Sequence, residues 1–90
     1  MIDAAAVPRL KPGVKFRFDR SRDAWVLLAP ERLFMPDEIA VEILKLVDGA
    51  RTAGAIVDEL AAAFKAPRAV IEVDVLAMLD DLRGKGALAA

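Results

Sequence analysis

The chain contains no cysteine, no histidine and no tyrosine. Without Cys or His there can be no disulfide framework, no zinc site of the usual kind and no His- or thiol-based nucleophilic machinery. Among titratable side chains only carboxylates, Lys and Arg are left for chemistry. Two close carboxylates could in principle share acid–base work, but a chain of 90 residues offers little depth in which to shift their pKa values. The expectation is a protein that is not an enzyme. Long apolar runs are missing too. The longest, Ala24–Ala29, has six residues, against the roughly 20 that span a bilayer. Met1–Val7 lacks a basic stretch leading into a long apolar one, so no signal peptide and a cytoplasmic location are expected, with no membrane partner.

What is present is apolar and finely dispersed. Hydrophobic residues make up 57% of the chain, enough for one small domain with a modest core. Net charge is −1 but unevenly spread. Arg9, Lys11, Lys15, Arg17, Arg20, Arg22 and Arg32 face only Asp19, Asp23 and Glu31 in the same stretch, whereas Arg68 alone faces Glu72, Asp74, Asp80 and Asp81 between Pro67 and Leu82. The two readings are solvated faces of opposite sign, or a basic half that steers an acidic partner.

Residues 1–13, broken by Pro8, Pro12 and Gly13, read as an arm, and 14–90 as a single domain. Val14–Arg20 alternates strictly, with Val14, Phe16 and Phe18 on one face of a strand. Ser21–Asp23 is a polar turn, and Ala24–Ala29 returns as a strand apolar on both faces, to be covered on both. Its Trp25 reads as core or lid, or else as a binding anchor. Arg32–Met35, closely flanked by Pro30 and Pro36, reads as a short third strand at a sheet edge. Asp37 then caps a helix to about Val47 with Ile39, Ile43, Leu46 and Val47 on its buried face, stopped by Asp48-Gly49. Thr52 caps a second helix to Phe64, its stripe Ile56, Val57, Leu60 and Phe64. Pro67 opens a third, to about Arg83.

The third helix carries two apolar stripes: Ile71, Val75, Met78, Leu79 and Leu82, and then Val70, Val73, Leu76 and Ala77. A surface helix of a small domain needs one. The second is wrapped by the core, covered by another copy in a homodimer, or left as the wall of a peptide groove. Three strands followed by three helices predict a winged-helix-like α+β domain, three short antiparallel strands and then a three-helix bundle. DNA binding, which that architecture invites, is opposed by Glu72, Asp74, Asp80 and Asp81 where a recognition helix needs Arg or Lys. No nucleic acid partner is expected.

Several blocks in order carry a resemblance over nearly the whole chain. They are Val7-Pro-Arg-Leu-Lys-Pro-Gly-Val14, Phe18 followed by Trp25-Val-Leu-Leu-Ala-Pro-Glu-Arg32, Asp37-Glu-Ile-Ala-Val-Glu-Ile-Leu44 with Asp48-Gly49, and Asp74-Val-Leu with Leu79 to Leu88. Together they resemble the PqqD family, peptide chaperones of pyrroloquinoline quinone biosynthesis. Ala66-Pro67 departs from the pattern, standing where an acidic or polar cap would precede the third helix. The resemblance implies a non-catalytic domain without a cofactor. It would bind the precursor peptide PqqA and present it to PqqE, a radical S-adenosylmethionine enzyme. It also implies that the peptide adds as a strand beside the third strand and packs against the third helix. On that implication Arg32, Leu33, Phe34 and Met35 are the pairing residues, and Val70, Val73, Asp74 and Ala77 the helical wall. For Leu33 and Met35 ordinary core packing is the alternative. Arg17, Arg20 and Arg22 are the candidates for steering an acidic peptide.

Overall fold

Alternation in the first third of the chain and helical periodicity in the rest are both realised. A computed structural model describes residues 1–90. Its elements are β1 (Arg9–Leu10), β2 (Lys15–Asp19), β3 (Ala24–Ala29), β4 (Arg32–Phe34), α1 (Glu38–Leu44), α2 (Ala53–Phe64), α3 (Arg68–Gly84) and β5 (Leu88–Ala89). The central sheet is antiparallel in the order β2-β3-β4, which leaves β4 as an edge. Phe16 opposes Leu27, and Leu27 opposes Phe34. Residues opposite each other share a sheet face, so this row of three forms the sheet's contribution to the core.

Turn chemistry fixes the β2–β3 hairpin. The Asp19 carboxylate accepts from the Ser21 hydroxyl at 2.7 Å and from the Arg22 guanidinium at 2.6 Å. Asp23 takes the left-handed conformation, φ 52°, which Asp tolerates better than most residues. Pro30-Glu31 makes the two-residue β3–β4 connection.

The helices begin where their caps predict. The Asp37 carboxylate accepts from Ala40 N at 2.8 Å, and the Thr52 hydroxyl from Ala55 N at 3.1 Å. Pro67 at the head of α3 provides no side-chain cap. Instead, Arg68 reaches Asp58 at 2.6 Å and Glu72 at 2.8 Å, tying the start of α3 to α2. The core between sheet and helices is built from Leu27, Ile43, Ile56, Val57, Val75 and Leu79, all essentially without exposure.

Three expectations are corrected. The first helix ends at Leu44 rather than Val47. Leu46 N and Val47 N turn to the carbonyls three residues back, a tighter winding that ends a helix. Ile39 and Phe64, expected in buried stripes, are 55% and 54% exposed. Each lies at a helix end beyond the core, Ile39 in the first turn of α1 and Phe64 at the last residue of α2. The sheet is also joined by a second, two-stranded one. β1 and β5 pair Arg9 with Ala89 and Leu10 with Leu88, bringing the two ends of the chain together.

Residues 1–13 lie against the core. Ile2 is buried, and Ala6 O and Ala4 O accept from Ala53 N and Gly54 N at 2.8 and 2.9 Å. The arm thus satisfies N–H groups that the start of α2 leaves open. A Cβ on Gly54 would come within 3.2 Å of Ala4 O, so glycine suits this close approach. No helix is long and apolar enough to cross a membrane.

Candidate peptide-binding cleft

The site is built from an unpaired strand edge, a helix start and the open face of a long helix. Pro36 ends β4 because it lacks a backbone donor and biases Met35 toward extended geometry. One side of Arg32–Phe34 is hydrogen-bonded to β3, and no other backbone hydrogen bond reaches residues 32–35. Such an edge can accept a further strand.

Facing it, α3 shows Asp74, Ala77, Met78 and Asp81, which recur at i, i+3, i+4 and i+7 and so share a helix face. Between α3 on one side and β4, α1 and the end of α2 on the other lie three adjoining cavities. The first, about 260 Å³, is lined by Phe34, Met35, Ala40, Met78 and Lys85 among others. The second, about 280 Å³, shares Asp37, Ala40 and Met78 with the first and adds Ile39, Asp74 and Ala77. The third, about 230 Å³, shares Ile39 and Asp74 with the second and adds Phe64 and Ile71. Shared walls make them one cleft running along α3, with an apolar floor and carboxylates on its rim.

The expected residues fall into three groups. Phe34, Met35, Asp74 and Ala77 come together in the cleft. Arg32 stands at its β4 end, its guanidinium 5.0 Å from the Phe34 ring centre and 3.4 Å from the Lys85 carbonyl, to which it donates. Val70 is one turn before Asp74 on the same face and 56% exposed. Two residues lie apart. Leu33 opposes Leu28 and so points to the sheet face opposite Phe34. Val73, one residue before Asp74, is turned by about 100° around the helix axis. It lines a different depression of about 430 Å³ with Met1, Ile2, Leu76 and Ala77.

Arg17, Arg20 and Arg22 lie on β2 and its turn, at the opposite edge of the sheet from β4. Arg22 is paired with Asp19 at 2.6 Å. Hydrogen bonds from Ser21 and then Arg22 lower the Asp19 pKa from 3.8 to about 2.

Ile39, Phe64 and Met78 also line the cleft, and periodicity alone did not mark them as binding residues. The available signal was position, since an apolar residue in the first or last turn of a short helix can overhang the core. Trp25 sits outside the cleft, stacked on Phe16 at 4.8 Å, edge-on to Phe18 at 5.8 Å and 5.2 Å from the Lys45 ammonium. It borders the largest concavity of the surface, about 550 Å³, across the outer side of α1. No group of three or more His, Cys, Asp or Glu side chains is gathered for a metal ion.

Known proteins resemble this chain in sequence and fold. A "PqqA binding protein" of Rhodopseudomonas palustris (strain BisB5) is 54% identical over 97% of this chain and 85% of its own length. The solution structure of the PqqD truncation of Methylobacterium extorquens PqqCD superposes with a TM-score of 0.86 at 46% identity, over 100% of this chain and 96% of that one. That truncation is described as a functional, stand-alone recognition element for ribosomally synthesised, post-translationally modified peptides. Lasso peptide synthetase B1, solved with a leader peptide, shares the fold at a TM-score of 0.79 and 18% identity, covering 94% of this chain and 100% of its own. The family model for coenzyme PQQ synthesis protein D (PqqD) matches residues 24–88, and the chain belongs to that family.

Proposed function

We propose that this protein is a non-catalytic peptide chaperone that binds the precursor peptide PqqA and presents it to the radical S-adenosylmethionine enzyme PqqE. The peptide adds as a strand beside β4 and lays alternate side chains into the cleft along α3. The observation that carries this reading is the adjacency of an unpaired strand edge and an open apolar cleft. The edge offers main-chain hydrogen bonds, and pockets for alternate side chains supply selectivity. A relative named as a PqqA binding protein supports the choice of peptide. The enzyme partner rests on the family resemblance. The wall residues are Asp74, Ala77 and Met78, with Phe34 and Met35 opposite, Arg32 at one end and Val70 at the other.

Calorimetric titration with PqqA, followed by amide shift mapping, tests the reading. Saturable binding with the largest shifts at residues 32–35 and 74–78 is expected. Shifts centred on Trp25 and Phe18 instead would overturn the cleft assignment.

A further inference from the structure

Within that peptide-binding reading, we infer that Asp74 receives a cationic side chain, Lys or Arg, of the docked peptide, with Asp37 beside it on the same cavity. The other carboxylates of α2 and α3 are all engaged within the chain. Asp58 and Glu72 hold Arg68, Glu59 holds Arg51, Asp80 holds Arg83 and Asp81 holds Lys85. Asp74 alone among them has neither an ion pair nor a side-chain hydrogen bond within the chain. The cations of α3 and its end are all committed by the same pairs.

The position of Asp74 gives this consequence. It borders two of the three cavities, where the walls around it include Ile39, Phe64, Ile71 and Ala77. Uncovered, its carboxylate is hydrated at little cost. A segment that fills the cleft removes that water, and a charge left unpaired among apolar walls is strongly unfavourable. An occupant that brings a cation to this point keeps the carboxylate paired as its water is displaced. Asp37 adds a second negative charge to the same cavity while one of its oxygens caps α1. At the β4 end the excess negative charge is offset, because the Arg32 guanidinium lies near Lys85 and Asp81, which neutralise each other. The place for a basic residue of the peptide is therefore toward Ile39 and Phe64, away from Arg32.

The test compares wild type and Asp74→Asn, titrated with PqqA and with a PqqA in which every Lys is acetylated and every Arg replaced by citrulline. Neutralising the peptide is expected to weaken binding to wild type about tenfold, the size of one charge-assisted hydrogen bond forfeited in a desolvated setting. Asp74→Asn should weaken native PqqA comparably and bind the neutralised peptide no worse than wild type does. Asp37→Ser, which removes charge but keeps a capping oxygen, should show the same pattern more weakly. Equal affinity of wild type for both peptides, or two losses that simply add, would overturn the pairing while leaving the cleft reading intact. Absence of any binding of native PqqA to wild type would overturn the peptide-binding reading itself.

Discussion

The two faces of α3 differ in what they meet. Toward the sheet, Val75, Leu79 and Leu82 are buried and belong to the core. Toward α1 and β4, Asp74, Ala77 and Asp81 stay exposed, and Met78 is half-buried between the two. The inner face is apolar throughout, whereas the cleft face sets Ala77 and Met78 between two carboxylates. They also differ in what stands opposite. The inner face meets Leu27, Ile43 and Ile56 within the same cluster, while the cleft face meets the overhanging first turn of α1 and an unpaired strand edge. On the proposed reading one helix supplies both stability and a binding wall, and the two roles should separate under mutation.

The largest separation is expected at Leu79, which has no exposure. Leu79→Ala should destabilise the fold by about 3 kcal/mol, the usual cost of a leucine-sized cavity, read by urea denaturation. A change below about 1 kcal/mol would mean that the core closes over the gap. The reverse result is expected two residues earlier. Ala77→Gln should leave stability within about 0.5 kcal/mol, as exposed helix substitutions do. It should also weaken PqqA binding at least tenfold by filling the cleft. The adjoining contrast is sharper still. Val73→Asp, on the flank turned toward Met1, should bind PqqA nearly as wild type does. Loss of binding there would move the helical wall onto the Val70–Val73 flank.

Much of this organisation was legible because local rules set it. Strict alternation marked β2, and Asp37 and Thr52 capped the helices they precede. The two prolines around Arg32–Met35 marked a short edge strand. The double stripe of α3 signalled that one helix had more apolar surface than a core needs. What escaped depended on distant partners. β1 and β5 are two residues each and come from opposite ends of the chain, so neither carries a pattern of its own. Periodicity named Ile39 and Phe64 as apolar but could not say that the core stops short of them. It also grouped Val73 with Ala77, four residues on, where the cleft takes only the latter.

A smaller effect belongs to the hairpin remote from the cleft. Asp19 is held at about 2 by Ser21 and Arg22, below its ordinary 3.8. A carboxylate whose folded pKa is depressed contributes stability above its unfolded value and loses that contribution as pH falls through the folded one. The hairpin's share should therefore be complete above about pH 4 and fade toward pH 2. Melting temperatures of wild type and Asp19→Asn should converge across that window. Parallel pH curves would show that the turn is held by other means.

The smallest effect concerns the same hairpin's charge. Arg22 is neutralised locally by Asp19, which leaves Arg17 and Arg20 as the cations free to act at a distance. They stand across the sheet from β4, too far round to touch a segment lying in the cleft. Any influence they have on an acidic peptide must act on its approach, not on the bound state. Steering of this kind is screened by salt over roughly 8 Å at physiological ionic strength. The double variant Arg17→Gln/Arg20→Gln should slow association about threefold at low salt, with no change in dissociation and no difference at high salt. Stopped-flow measurement separates these cases. A faster dissociation rate would mean that the peptide reaches the hairpin after all, extending the site across the outer sheet rather than confining it to β4 and α3.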